Sequence, residues 1–225
     1  MHRKQHRPAM MAGALLLAGL LSWPTGGLAQ LGGLPPVPPL PLPSPTPTTG
    51  TSTVTGQAAA VQATVLGILG TATTTTLSAT GTLAGTNDAR DTSQLTGSIP
   101  PLLGAESLQA DTIGWPDEVD SEASLAGLNL NVAGIPISAD FVRASAVAIA
   151  GTVGSGTSEI DNLAINGVLI AVTGAPNQTI PIPGGQLVIN EQTISSTGSA
   201  VVNALHLTVN GIADVLIASA TAGIS

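Results

Sequence analysis

The chain has 225 residues with 13 acidic against 5 basic side chains, a formal net charge of −8, and neither cysteine nor tyrosine. A balance of that sign repels phosphate backbones and anionic lipid surfaces, which argues against nucleic-acid and membrane-surface partners and favours cations as small partners. The missing cysteine excludes disulfides, thiolate metal sites, a cysteine nucleophile and a lipid-modified N-terminal cysteine.

Arg3, Lys4 and Arg7 stand directly ahead of the apolar run from Ala9 to Leu21, and Gly27-Leu28-Ala29 places small residues at the −3 and −1 positions of a cleavage site. This is the layout of a secretory signal peptide over residues 1–29, with an apolar core too short to stay in a bilayer as a spanning helix. The expectation is a protein that is secreted, extracellular or held in the cell envelope, with no transmembrane segment in the mature chain. Cleavage would leave only Arg90 and Arg143 against the 13 acidic residues, a net charge of −11. With no lysine remaining, Lys–Asn isopeptide links and sortase polymerisation through a lysine acceptor are excluded for the mature chain.

Residues 30–56 read as a linker. Eight prolines lie between Leu34 and Pro47, followed by the Thr/Ser/Gly stretch from Thr48 to Gly56. Such a segment lacks ladder donors and apolar surface, so it is expected to be disordered or an extended polyproline II spacer. The neighbouring threonines are compositional candidates for O-linked sugars.

Residues 57–225 are expected to form a single all-β domain, an antiparallel β-sandwich with jelly-roll character. The mature chain holds only Trp115 and Phe141 as aromatics, so its core must be built from Val, Ile, Leu and Ala. The span from Ala58 to Leu69 could be a helix, but Gly67, Gly70 and the β-branched residues favour a strand. The threonine run Thr71 to Thr76 raises a parallel solenoid and an ice-binding array, yet no fixed repeat period supports the first and one run does not make the second.

Turn chemistry sets the expected pairings. Ala133-Gly134 should join the strand 123–132 to the strand 135–149, and Gly184-Gly185 should join Ile180–Ile182 to Leu187–Ile189, with Pro181 marking an edge. Asn166-Gly167 as a two-residue turn pairs Ile165 with Val168, Leu163 with Ile170 and Asp161 with Val172. Asn210-Gly211, treated alike, pairs Val209 with Ile212, Leu207 with Asp214 and Leu205 with Leu216, and places His206 mid-strand beside Ala204 and Val215 on a packed face.

Several C-terminal phrases occur in a fixed order: Leu187 to Gln192, Val202 to Leu207, and Ala213 to Ile224, with Ser121-Glu122-Ala123 and Ser138-Ala139-Asp140 upstream. Together they give a chain that resembles the bacterial choice-of-anchor P family over about residues 57–224. The resemblance implies an exported, surface-associated domain whose members carry different C-terminal sorting signals. Ala222-Gly223-Ile224-Ser225 is not an LPxTG-like motif, so release or non-covalent retention is the expectation here.

Candidate chemistry is sparse. His206 could act as a general base with Asp140, Asp214 or Glu191 and a serine, but a strand histidine with a satisfied hydrogen bond is the favoured reading. No GxSxG, HExxH or phosphate-loop pattern occurs, and an Asp140/Glu191 glycosidase pair would lack aromatic sugar platforms. The run Asp117-Glu118-Val119-Asp120-Ser121-Glu122 is the best cation candidate, with oxygen ligands suited to Ca2+ but not the spacing of an EF-hand loop. Asp88, Arg90 and Asp91 are expected to form a second exposed loop, and Asn177-Gln178-Thr179 matches a glycosylation sequon. No catalytic, cofactor-binding or metal-ligating set is assigned. The expected function is a secreted or cell-surface structural or interaction module without catalysis, with envelope or matrix proteins as partners; the alternative is a calcium- or small-ligand-binding extracellular domain.

Overall fold

Alternation of small aliphatic and polar residues writes the ladders. In the strand that opens at Glu118, Val119, Ser121, Ala123 and Leu125 are buried while Asp120, Glu122 and Ser124 between them stay partly exposed. A period of two with one apolar face is what a sheet covered on one side requires. The computed structural model describes residues 52–67 and 70–225. The expected signal peptide and residues 30–51 of the expected linker lie outside the described residues.

Thirteen strands follow in order: β1 (Val54–Leu66), β2 (Ala72–Ala79), β3 (Ala89–Ile99), β4 (Leu103–Gly114), β5 (Glu118–Val132), β6 (Ile135–Ile149), β7 (Ser155–Asp161), β8 (Ala164–Ile165), β9 (Val168–Leu169), β10 (Gln178–Ile182), β11 (Gly185–Ile194), β12 (Ser199–Val209) and β13 (Ala213–Ile224). They make two antiparallel sheets packed face to face, a β-sandwich. One has the order β10-β11-β12-β13-β1-β2; the other has β3-β4-β5-β6-β8-β9, with β7 also on β6. Most neighbours are consecutive hairpins, and the jelly-roll-like feature is the pairing of the first strand with the last, Val54 opposite Ile224. Every ladder is antiparallel, which rules out the solenoid.

The core is aliphatic throughout. Leu108, Leu125, Leu128, Ile137, Ile189, Leu205 and Ile217 fill its wider parts, and Ala144, Ala146 and Ala148 of β6 with Ala218, Ala220 and Ala222 of β13 are fully buried where those two strands face each other. Trp115 is 40% exposed and takes no part. β1 starts three residues ahead of the expected domain boundary, because Val54 and Gly56 face this core and Thr53 and Ser225 exchange both backbone bonds at 2.8 and 3.0 Å.

Inward-facing parity changes partway along the long strands. In β5 the buried residues are odd-numbered up to Leu125 and even-numbered from Leu128; in β12 the buried apolar residues are even up to Ala204 and odd from Leu205. The switch coincides with residues in the left-handed region: Ser107 (φ 47), Gly127 (φ 58) and Asn162 (φ 53) in one sheet, Ser78 (φ 44), Asn190 (φ 52) and Ala218 (φ 51) in the other. These residues line up across adjacent strands as a seam, since the ladder β1–β13 keeps one register on both sides of Ala218 and skips only that rung. A left-handed residue rotates the following side chains to the other face, so a strand can keep its apolar set on the core while the sheet bends. Ser78 Oγ donates to the Leu108 carbonyl at 3.4 Å and so links the two seams through the interior.

The turns show where local chemistry decided the outcome. Ala133 (φ 53) and Gly134 (φ 79) form the expected two-residue turn with Val132 opposite Ile135. Asn166-Gly167 also closes as expected, with Ile165 opposite Val168 and the Ile170 N–H donating to Leu163 at 2.8 Å. That hairpin stops there: Asp161 pairs with Phe141, not Val172, because β7 and β8 continue in one register along β6. At Asn210-Gly211 the loop has three residues. The Ile212 N–H donates to the Val209 carbonyl at 3.0 Å, Gly211 sits at φ 68, and Val209 pairs with Ala213. The slip of one residue moves Val215 and Ile217 to the core face and leaves Ile212 43% exposed. The Gly184-Gly185 turn shifts by one as well, since Gly185 is already a rung opposite Ile182. Pro181 lies on the edge strand β10, and Ala58–Leu66 is strand throughout.

Gly127→Val places a β-branched side chain at φ 58 within the seam and is expected to cost about 1–2 kcal/mol or more of unfolding free energy. Urea titration checks this. An unchanged midpoint would show that the seam does not constrain the backbone.

Candidate functional site

His206, Glu191 and Asp214 meet on the solvent face of the sheet that contains β11, β12 and β13. The corrected register puts His206 opposite Val188 and Leu216, and Thr208 opposite Asp214, so His206 and Asp214 point outward together. Glu191 arrives from the far side of the seam, where Asn190 in the left-handed region turns the strand, and the intervening rung is occupied by the small buried Ala204 and Ala218. His206 is therefore not on the packed face expected for it; its side chain is 22% exposed.

Both ring nitrogens are taken. Nδ1 lies 2.9 Å from Glu191 Oε2 and Nε2 lies 3.1 Å from Asp214 Oδ2, with Thr208 Oγ1 3.4 Å from Nε2. A neutral imidazole has one N–H and one lone pair, so one carboxylate would face a lone pair; the imidazolium donates to both. Burial disfavours the charged ring, but the hydrogen bonds and charges of Glu191 and Asp214 outweigh it and raise the His206 pKa above its ordinary 6.5. Asn203 Nδ2 donates to the same Glu191 oxygen at 2.6 Å, while Asn203 Oδ1 is buried without a partner.

That geometry joins two of the three carboxylates named from the sequence and leaves out the third. Asp140 lies on β6 in the other sheet, where Asn162 Nδ2 donates to it at 2.7 Å, so neither a His206–Asp140 dyad nor an Asp140/Glu191 pair exists. A base held at both nitrogens has no lone pair to offer a nucleophile.

The expected acidic loop is a strand. Only Asp117 precedes β5; within it Val119 and Ser121 point into the core, and Ser121 Oγ and Thr112 Oγ1 share a buried hydrogen bond of 2.6 Å. Glu118, Asp120 and Glu122 point outward, and the ladder sets Glu122 beside Asp111 of β4, itself beside Asp91 of β3. Arg90 and Asp91 thus open β3 instead of forming a loop. Asp88 closes the preceding turn, accepting from the Ala84 N–H at 2.7 Å and from Arg90 Nε at 3.0 Å, which lowers its pKa. Asn177 of the sequon is engaged, its Oδ1 accepting from the Gln192 N–H at 2.9 Å.

The acidic row is under-compensated. Asp111 is raised by partial burial and by the charges of Asp120 and Asp91; Asp120 is raised by burial; Glu122 is raised by burial and by Asp111, Asp120 and Glu159, against the opposing pull of Arg143. Arg143 spans Glu122 at 3.4 Å and Glu159 at 3.0 Å. Among the described residues no three His, Asp or Glu side chains converge on a point that could hold a metal ion. Asp91 and Asp111 were individually visible in the sequence, but their adjacency to Glu122 required the register of three strands.

No protein-family profile, no curated protein and no solved structure matches the chain. Among the described residues no helix is long and apolar enough to cross a membrane.

Two pH effects follow with the same sign. The His206 contribution is present in full below pH 6.5 and is lost as pH rises through its raised folded value. Half-exposed Asp214 limits the effect to about 1 kcal/mol or less, and His206→Gln should remove that part of the pH profile measured by urea unfolding between pH 5 and 9. Raised carboxyl groups likewise favour the protonated folded state, so their contribution falls as pH rises above the ordinary carboxylate range. Asp111→Asn is expected to stabilise the protein at pH 7 by about 0.2–1 kcal/mol, a gain that shrinks as the parent's Asp111 becomes protonated in acid. A loss of melting temperature at pH 7 would contradict it.

Proposed function

We propose that the protein is an exported, non-catalytic structural or interaction module of a bacterial surface or extracellular matrix, related to the choice-of-anchor P proteins. The observation that supports the non-catalytic part is His206 closed off at both nitrogens by Glu191 and Asp214, which ties three strands together and leaves that ring no free nitrogen to act as a base. Export is supported by the basic and apolar leader with its small-residue cleavage site. The phrases from Leu187 to Ile224 support the family relation, and the solvent faces of both sheets supply broad polar surfaces suited to contact with envelope or matrix proteins.

The row of Asp91, Asp111 and Glu122 favours a second reading, in which the same module takes up a divalent cation. Dense carboxylates attract calcium, but here they lie along a sheet and not around a point, so screening is the expected role. On the first reading calcium and magnesium raise the melting temperature alike and only at millimolar levels. A calcium-specific rise at micromolar levels would favour the second.

Fractionation of cells that express the whole chain tests export. Protein shortened by residues 1–29 in the medium, periplasm or envelope is the expected result. Full-length protein confined to the cytosol would overturn it.

A further inference from the structure

The threonine run at the start of β2 is divided by the ladder between two faces. Thr74 and Thr76 stand opposite Thr64 and Gln62 of β1 on the solvent side, where Thr74 Oγ1 and Thr64 Oγ1 lie 2.9 Å apart. Thr73 and Thr75 stand opposite Val65 and Ala63, so they share the side of the sheet that faces the core. β2 answers Val61 with Leu77 there, but Ala63 and Val65 with hydroxyls. Both threonines are nevertheless exposed, because a cleft of about 320 Å³ separates the two sheets at this end. Its walls are aliphatic and come from both layers: Ala63 and Val65 of β1 on one, Ile99 of β3, Leu102 of the β3–β4 turn and Val132 of β5 on the other. Val65, Ile99 and Leu102 are left only partly buried by it. The cleft has room for roughly ten water- or methylene-sized groups at about 30 Å³ each. Among the described residues that line it, none carries a charge.

We propose that this cleft is a binding site for a neutral aliphatic amphiphile, whose chain lies between the walls and whose hydroxyl, ester or amide head meets the Thr73 and Thr75 hydroxyls. An apolar slot with a few convergent polar groups is the form that small-molecule sites take. The partly covered core-facing side chains lack dispersion partners that a hydrocarbon chain supplies. Each threonine hydroxyl both donates and accepts, so the pair suits a head that is itself a donor, an acceptor or both. An ionised head is selected against. Arg90 is held by Asp88 and Arg143 by Glu122 and Glu159, and neither lines the cleft, so a carboxylate or phosphate would meet no cation there and would be repelled by the chain's charge of −8. An ammonium head would find no carboxylate among the described lining residues. Such a site goes beyond contact with envelope or matrix proteins and is independent of export.

Isothermal titration calorimetry of the whole protein with n-octanol, and with octanoate at pH 8, tests the cleft. The alcohol should bind saturably, one to one and in the submillimolar range, and octanoate should bind about tenfold or more weakly. Thr75→Phe fills the cleft and should abolish binding, while Thr74→Phe, on the solvent side of the same strand, should leave it unchanged. The double variant Thr73→Val, Thr75→Val keeps side-chain shape and strand preference but removes the hydroxyls, and should weaken n-octanol about fivefold. A merely apolar gap would bind the alcohol equally or more tightly in that variant. No saturable binding by the parent overturns the proposal. So does binding that survives Thr75→Phe or is lost equally in Thr74→Phe, an equal affinity for octanoate, or a double variant that binds n-octanol as well as the parent does.

Discussion

Everything in this fold depends on a strand keeping its apolar side chains on the core while it runs for eleven to fifteen residues across a bending sheet. A strand with strict alternation offers one face for its whole length, and a sandwich with this much strand cannot keep that face inward throughout. The seam resolves the conflict. Asn162, Asn190 and Gly127 enter the left-handed region at low cost, while Ser78, Ser107 and Ala218 do so at about 1–2 kcal/mol each, offset by the apolar area that both halves of each strand then bury. The alanines that occupy the seam rungs, Ala60, Ala204 and Ala218, are fully buried.

The seam also builds the polar site. By turning β11 at Asn190 it brings Glu191 beside His206, three positions away along the neighbouring strand, and the small side chains between them leave the path clear. The three basic side chains of the described residues are each held by carboxylates: Arg90 by Asp88, Arg143 by Glu122 and Glu159, His206 by Glu191 and Asp214. What remains is uncompensated negative charge, concentrated at Asp91, Asp111 and Asp120. Both the clamped histidine and the crowded carboxylates then favour bound protons in the folded state, so this fold leans toward mild acid for its stability.

Catalytic motifs were absent from the sequence, and the tertiary structure holds the imidazole of His206 between two carboxylates, Glu191 and Asp214. The sequence offered Glu191 and Asp214 as alternative partners of His206 alongside Asp140, not as two held at once. Glu191 and Asp214 are 15 and 8 residues away, and their approach depends on a three-residue loop at Asn210-Gly211-Ile212 in place of a two-residue one. A dipeptide that accepts positive φ signals that a hairpin turns there, but the loop length depends on which neighbours gain burial, and here Val215 and Ile217 gain the core by the longer loop.

By itself the sequence determined the class of fold and its material. Alternating small aliphatics, Asn-Gly and Ala-Gly turns and the near absence of aromatics specify antiparallel sheets with an aliphatic core, because those signals act within a few residues of each other. The tertiary structure decided the seam, the register of the last hairpin, the strand nature of Glu118–Glu122 and the row of Asp91, Asp111 and Glu122. The parity change was written in Ala58, Ala60, Val61 and Ala63 and again in Val202, Ala204, Leu205 and Leu207, yet two adjacent buried residues in one strand become interpretable only when the facing sheet supplies both surfaces. Cross-strand neighbours are fixed by which pairings bury the most apolar area over the whole sandwich, and that sum is not local to any segment of the chain.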